Sequence, residues 1–293
     1  MTPTADNLGA RYLVVLSVVG AWMLLGFWLH LSGNAYLLAG VPILLAFQVL
    51  VARRPIGELW FRGPAPAPMP RWCWAVAAAF LAFPVYSLVH LWARSGWDER
   101  LWHVCAAAGA FPLGFSFGRI SLGTLRVLAM CLATAGLLGV LFVLGPAWIA
   151  HHHAGAAGAA RQPLPFTGPF GPKLAEMARS FFLYLPVVFL LEEVFFRGGL
   201  DSYLHRSDDR DPWVSAGFVS ALWGLWHMPL ILPGLLHLSM APAAIGFVTV
   251  AVIAVHYSIG IPLTVAWRRS GLLFVPGLVH ALIDTVRNGA AIH

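Results

Sequence analysis

Charged residues are scarce in this chain: Asp, Glu, Lys and Arg make up 10% of its 293 residues, whereas hydrophobic residues make up 59%. Soluble globular domains contain about 25% charged residues, so this composition excludes an ordinary soluble enzyme. It also excludes an intrinsically disordered chain, which needs low hydrophobicity and a high net charge. Because the apolar residues form long runs, the sequence predicts a polytopic membrane protein.

Cysteine is also rare, and Cys73, Cys105 and Cys131 lie far apart within apolar runs. An odd number of cysteines without a Cys-x-x-Cys motif excludes a disulfide framework, and we expect inert packing residues. The N-terminus has no short apolar segment followed by a small-residue cleavage site. We therefore expect the first apolar stretch to remain as a membrane helix.

The predicted fold class is all-α, a transmembrane helical bundle with eight or nine spans. A bilayer core about 30 Å thick requires about 20 apolar residues per helix, and no segment alternates with the period of a barrel strand. The segments 102–118 and 272–290 are the weakest candidates and could be re-entrant. The predicted spans lie near residues 12–31, 35–51, 72–93, 102–118, 125–150, 177–197, 213–233, 242–266 and 272–290.

The basic residues predict the orientation of the bundle. The net charge is +6, but the arginines lie in short loops between apolar runs, which is typical of topology signals rather than of a nucleic-acid patch. Placing the arginine-rich loop after the second span in the cytoplasm leaves ten basic residues inside and four outside. The N-terminus is therefore predicted to be cytoplasmic.

Two loops divide the chain. Residues 64–70 form a proline-rich connector, and residues 151–172 form a loop with a run of three histidines, His151–His153, for which we expect only adventitious metal binding. We interpret residues 1–174 as N-terminal membrane helices and connectors, and residues 175–293 as the part that carries the chemistry. The segment Asp201–Asp211 contains both acidic and basic residues and is expected to be solvated.

Three short segments place ionisable residues inside predicted spans. A charged side chain there costs about 2.5 kcal/mol or more, so such residues are functional candidates by default. Burying them together in the bundle is least costly, and this requires the three spans to pack against one another. The segments are 190–198 at the cytoplasmic end of the sixth span, 222–229 in the middle of the seventh and 279–284 in the last.

Helical spacing assigns these residues to faces. Glu193 and Arg197 are four residues apart with the glutamate first, the favourable order for an ion pair. Glu192 lies about 100° around the helix and is predicted to be the working carboxylate. His280 and Asp284 are also four apart and form one polar stripe.

These side chains include the parts of a hydrolytic centre. Glu192 and His227 can together deprotonate a water molecule. His280 and Asp284 can donate to the oxyanion of a tetrahedral intermediate, provided that Asp284 is protonated. The same four groups could instead bind a divalent metal ion such as Zn²⁺, and the residues leave both mechanisms open. Of the further histidines in predicted spans, only His256 is considered for a supporting role. The others are His30, His90 and His103.

The order and spacing of these residues resemble the three motifs of the CAAX protease and bacteriocin-processing family. This family of intramembrane endopeptidases includes the type II CAAX prenyl endopeptidase and many bacterial Abi-type proteins. The resemblance covers roughly residues 175–290. Its motifs are Glu192-Glu193-x-x-x-Arg197, Trp223-x-x-x-His227 and His280-x-x-x-Asp284.

The resemblance implies that Glu192 and His227 activate water and that His280 and Asp284 bind the oxyanion or a metal ion. Its supporting positions are Glu193, Arg197 and Trp223. The cofactor is then Zn²⁺ or none, since both metal-dependent and glutamate-dependent mechanisms are considered for the family.

Two positions depart from the motifs. Trp223 stands where phenylalanine is usual. Asp284 stands where asparagine is common, and an acid must be neutral to donate a hydrogen bond.

The sequence therefore predicts an intramembrane endopeptidase that cleaves near the cytoplasmic side of a bacterial cytoplasmic membrane. The expected partners are membrane lipid and a peptide or membrane-protein substrate, with no nucleic acid. The chain lacks His-Glu-x-x-His, the motif of a zinc protease of a different type. The alternatives are an ion- or proton-coupled transporter, which would favour an internal repeat, and a non-catalytic immunity or scaffold protein of the same fold.

Overall fold

A computed structural model of the protein describes residues 8–62, 70–94, 96–142, 145, 170–205, 211–237 and 239–290. Within these ranges the regular secondary structure is helical apart from one β-bridge, between Phe61 and Leu272. Long runs of alanine, leucine and valine supply the apolar helices. The longer helices are α1 (Leu8–Leu29), α2 (Gly33–Ala46), α3 (Trp72–Leu91), α4 (Trp97–Ser116), α5 (Leu122–Cys131), α6 (Phe170–Leu191), α7 (Pro212–Trp226), α8 (Met228–His237), α9 (Pro242–Ser270) and α10 (Phe274–Ala290).

The prediction of an all-α membrane bundle is confirmed. Seven candidate spans are found among the described residues. They include α5 extended to Phe142, and α7 taken together with α8. The helices α6 and α10 are not among these seven, but they pack closely together within the bundle, so the predicted eight or nine spans are roughly consistent with the structure. The histidine run and the 64–69 part of the proline-rich connector lie outside the described residues.

One end of the bundle, called the arginine end below, gathers most of the basic residues that the structure describes. Contacts between helix termini define it: Arg11 near the start of α1 donates to the carbonyl of Tyr203, and the backbone amide of Arg62 donates to the carbonyl of Gly271 after α9. Gly271 has φ +62° and so closes α9 in the left-handed conformation that glycine favours. The described arginines near this end are Arg11, Arg53, Arg54, Arg62, Arg71, Arg119, Arg126, Arg268 and Arg269.

A buried ion-pair cluster lies at the arginine end. Arg268 donates to both carboxylate oxygens of Asp201, which is fully buried, and the guanidinium of Arg62 lies 3.7 Å from the same carboxylate. The hydroxyl of Ser202 accepts a hydrogen bond from the indole of Trp267 at 3.1 Å. The expectation that segment 201–211 is solvated is therefore wrong at Asp201, whose charge is matched by arginines from distant parts of the chain. Residues 206–210 lie outside the described ranges.

The N-terminal helices pack directly against the C-terminal ones. Trp22 of α1 contacts Phe195 and Trp226 edge-on, with ring centroids 4.6 and 5.0 Å apart. The hydroxyl of Tyr36 on α2 donates to the backbone carbonyl of Trp226 at 2.9 Å. Aromatic residues from the N-terminal helices thus help to hold the segment that carries His227.

Candidate active site

The helix that carries His227 is interrupted at that residue. The sequence predicts His227 in the middle of a continuous span, but α7 ends at Trp226 and α8 begins at Met228. Pro229 has no amide hydrogen to donate to the preceding turn. The amide of His227 donates to the carbonyl of Gly224, three residues earlier rather than the four of a regular α-helix. His227 therefore lies at a break between two helices rather than within one.

Glu192 follows the last residue of α6, and an eight-residue π-helix, Val194–Asp201, begins two residues later. The indole nitrogen of Trp223 donates to Oε2 of Glu192 at 3.1 Å. The Glu192 side chain remains 14% exposed. The tryptophan therefore orients a carboxylate that is still accessible.

Glu193 is fully buried and joins two of the motifs. Its Oε1 accepts hydrogen bonds from Nη1 of Arg197 at 3.1 Å and from Nδ1 of His280 at 2.9 Å. The predicted pair between Glu193 and Arg197 is present, and the contact to His280 shows that the pair also anchors α10. The Arg197 guanidinium stacks over the ring of Trp223, 4.4 Å from its centroid.

The second imidazole nitrogen of His280 faces two further carboxylates. His280 Nε2 lies 4.0 Å from Glu192 Oε2 and 3.6 Å from Asp284 Oδ2. Arg287, one turn further along α10, lies 3.2 Å from Asp284 Oδ1. Glu192 and His280 are therefore at a distance that one water molecule can bridge.

The hydrogen bonds of His227 and His256 determine their tautomers. In each ring Nδ1 contacts the carbonyl oxygen four residues earlier, of Trp223 at 2.8 Å and of Val252 at 2.7 Å. A carbonyl oxygen can only accept, so Nδ1 carries the hydrogen and Nε2 of the neutral ring is left as an acceptor. The two rings lie 4.1 Å apart between centroids.

Small residues on α7 allow α9 to come this close. A Cβ atom added at Gly224 would lie 2.7 Å from the Cα of Ile253 and 3.1 Å from the Cβ of His256. Glycine is required at this position because any side chain would separate the two helices.

These side chains line one cavity of about 370 Å³. Its polar wall comes from α6, α7, α9 and α10, and its remaining wall is apolar and aromatic. Such a mixture of a few polar groups and apolar walls is typical of a small-molecule or peptide site. The polar lining residues and their indole neighbour are Tyr184, Glu192, Trp223, His227, His256, His280, Asp284 and Arg287.

The structure does not arrange these side chains as a metal site. Among the described residues, no group of three or more His, Cys, Asp or Glu side chains is placed to hold a metal ion. Two of the carboxylates are already bonded to Trp223 and Arg287. The donor set therefore does not fit a resident metal ion, and the mechanism proposed below uses protein groups and water.

The comparisons with known proteins point to the same part of the chain. The sequence model described as type II CAAX prenyl endopeptidase Rce1-like matches residues 175–286. This region of the chain is therefore similar to the Rce1-like family. The matched region holds all three motifs, and the family is one of intramembrane proteases that act on peptide or protein substrates in a membrane. No curated protein and no solved structure matches the chain.

The site residues predicted from the sequence all border or support this cavity. Glu192, His227, His280 and Asp284 line it together with Trp223, and the Glu193–Arg197 pair lies directly behind. The lining residues His256 and Arg287, which bring an imidazole and a guanidinium to the cavity, were not among the predicted site residues. His256 has no acidic neighbour at helical spacing, and Arg287 was not considered, although its place three residues after Asp284 on α10 could have suggested a contact.

Proposed function

We propose that this Rce1-like chain is an intramembrane endopeptidase in which Glu192 and His227 activate a water molecule. The observation that carries the proposal is the meeting of Glu192, His227, His280 and Asp284 at one cavity, although they come from three separate motifs. Such burial of ionisable groups is costly in a membrane. Hydrolysis of a peptide bond is a function that uses all four of these side chains.

In the first step, a water molecule donates one hydrogen to Glu192 and the other to Nε2 of His227. Trp223 organises both partners, because its indole binds the Glu192 carboxylate and its carbonyl binds Nδ1 of His227. As the water oxygen attacks the scissile carbonyl carbon, Glu192 takes up the proton. Positioned proton transfer of this kind contributes about 10²–10⁴-fold to rate.

In the second step, the oxyanion accepts a hydrogen bond from Nε2 of His280 in its protonated form. Nδ1 of the same ring is held by Glu193, and Glu193 is in turn held by Arg197. When the intermediate collapses, the C–N bond breaks and Glu192 returns its proton to the leaving amine. The products are one new carboxylate and one new amino terminus.

The contact between Asp284 and Arg287 supports a specific role for Asp284. A carboxylate that is paired with a guanidinium is ionised and accepts rather than donates. We therefore propose that Asp284 balances the charge of a protonated His280 at 3.6 Å. In this scheme His280 is the donor to the oxyanion.

The proposal extends to location and partners. The family and the long apolar helices make the chain an integral membrane protein. We propose a bacterial cytoplasmic membrane with the N-terminus in the cytoplasm, which the excess of arginine at one end supports. The substrate is proposed to be a peptide or a segment of a membrane protein.

The test is hydrolysis by detergent-purified protein of a quenched fluorescent peptide library that includes prenylated and unprenylated members. Glu192→Gln and His227→Asn are each expected to lower turnover at least 100-fold while the thermal unfolding midpoint stays near that of the native chain. His103→Asn is the matched control, since its Nδ1 also contacts the carbonyl four residues earlier but its ring is not part of the cavity lining. Full activity in Glu192→Gln would refute the catalytic assignment.

A further inference from the structure

As far as the described residues line it, the candidate catalytic cavity extends towards one end of the bundle. Several of its lining residues lie within about two turns of helix ends opposite the arginine end. Leu37 is four residues from the start of α2, or about 6 Å, and Trp102 is five residues from the start of α4, or about 8 Å. Arg287 is three residues before the end of α10, and Phe142 is the last residue of the span that begins at Leu122.

The arginine end of the same site is closed. The 3-10 turn Ile56–Leu59 packs directly against the π-helix, so that a Cβ atom at Gly198 would overlap the Leu59 carbonyl oxygen. Phe195 and Phe196 of the π-helix are fully buried. No lining residue of the cavity comes from this layer.

From this asymmetry we infer that the substrate enters from the arginine-poor end. Under the positive-inside rule the arginine end faces the cytoplasm, so the substrate class is a polypeptide segment presented at the non-cytoplasmic face of the membrane. The sequence predicts cleavage near the cytoplasmic side, because Glu192 lies near the cytoplasmic end of its predicted span. The cavity leads away from that end.

This inference rests on the proposed function, but the side of entry is measurable without any substrate. Three reporter variants each add one cysteine to the native chain. They are Glu58→Cys at the arginine end, Trp97→Cys at the opposite end and Leu230→Cys in the cavity wall. The native chain is the blank, because Cys73, Cys105 and Cys131 are buried. Each variant is treated with a charged, membrane-impermeant methanethiosulfonate reagent in right-side-out and in inside-out vesicles.

The expected result is that Leu230→Cys reacts in the same vesicle orientation as Trp97→Cys, with Glu58→Cys reacting in the other. The inference would be overturned if Leu230→Cys reacted equally fast or faster in the vesicle orientation in which Glu58→Cys reacts. The proposed function is tested separately, by measuring hydrolysis by the solubilised native chain and by the Glu192→Gln variant without vesicles. An inactive enzyme with the expected labelling refutes the function, whereas an active enzyme with the opposite labelling refutes the entry side.

A second inference rests on two paired imidazoles, that of His227 at the break after α7 and that of His256 on α9. His227 is held on one side by its bond to the Trp223 carbonyl. On the other side its ring lies against His256, whose own ring is held by the Val252 carbonyl and packs edge-on to Trp223 at 4.5 Å. We propose that His256 is a positioning residue that keeps the His227 ring directed at the water.

The test compares His256→Ala with His256→Phe in the same peptide assay. Ring packing predicts that alanine lowers kcat about tenfold with KM within twofold, and that phenylalanine restores most of kcat. The changes His103→Ala and His103→Phe control for loss of a buried imidazole elsewhere in the bundle. Native kcat in His256→Ala, or equal losses in both His256 variants, would overturn the positioning role.

Discussion

Two buried clusters of charge in this bundle differ in what surrounds their carboxylates. At the arginine end, Asp201 is bound by Arg268 through both oxygens and approached by Arg62, within a tightly packed layer. In the cavity, Glu192 is bound by a neutral indole and Asp284 by one arginine, and both side chains keep 11–14% exposure.

The difference separates charges that hold the fold from charges that are available for chemistry. A carboxylate whose oxygens are matched by guanidinium groups has little capacity left to take up a proton. A carboxylate oriented by a single neutral donor beside a cavity retains that capacity. Glu193 is fully buried, and its Oε1 is bound by both Arg197 and His280. It therefore also belongs with the charges that hold the fold, although it is adjacent to Glu192.

The strongest test of this comparison is Asp201→Ala, which removes the acid at the arginine end. Breaking a buried ion pair costs about 3–5 kcal/mol, because it leaves uncompensated charge. We expect a loss of unfolding free energy of that order, measured by denaturant unfolding in detergent micelles. Turnover per folded molecule should remain near the native value, and a specific loss of turnover would contradict the division between the clusters.

His280→Ala tests the cavity side of the comparison. Removing one oxyanion donor costs about 10²–10³-fold in turnover, and the peptide assay should show a loss of that size. The ring also anchors Glu193, so His280→Asn serves as a partner variant of closer size. Turnover within threefold of native in both variants would exclude His280 as the oxyanion donor.

Trp223→Phe tests the comparison by removing a single hydrogen bond to Glu192. Phenylalanine, the usual residue of the motif, keeps an aromatic ring against Arg197 but removes the indole donor to Glu192. We expect kcat to fall about tenfold, since a hydrogen bond to a charged group contributes about 1.5–3 kcal/mol. An unchanged kcat would show that the indole nitrogen does not orient the carboxylate.

The smallest expected effect is that of metal chelation. Because the described donors do not form a metal site, a chelator should leave hydrolysis by the purified chain within the error of the assay. The control is a zinc-dependent peptidase in the same detergent. Loss of activity that stoichiometric Zn²⁺ restores would contradict the proposed mechanism.

The sequence was sufficient to predict the helical membrane bundle, because apolar runs of about 20 residues have few alternatives in a bilayer. It also predicted the pair between Glu193 and Arg197, because helical spacing alone brings them together. The contact between Glu193 and His280 joins residues 87 positions apart, and no local pattern encodes it. The same is true of Asp201, which looks like a loop residue until the fold brings Arg268 to it.

The helix break at His227 shows a second limit. Hydropathy treats Pro212–His237 as one apolar span, and proline within a membrane helix does not by itself predict an interruption. His256 was underestimated for a related reason. Its significance comes from the packing of α9 on Gly224 of α7, which is a property of two helices and not of one.

The contacts of Trp22, Tyr36 and Leu59 have a consequence for protein engineering. The family match begins at residue 175, yet these three side chains come from the other half of the chain and pack on Trp226 and on the π-helix. A hybrid that joins residues 175–293 to foreign N-terminal helices would have to bring equivalent aromatic and loop contacts with it. The N-terminal half of the chain is therefore constrained at a few positions, and transplanting residues 175–293 means transplanting those positions as well.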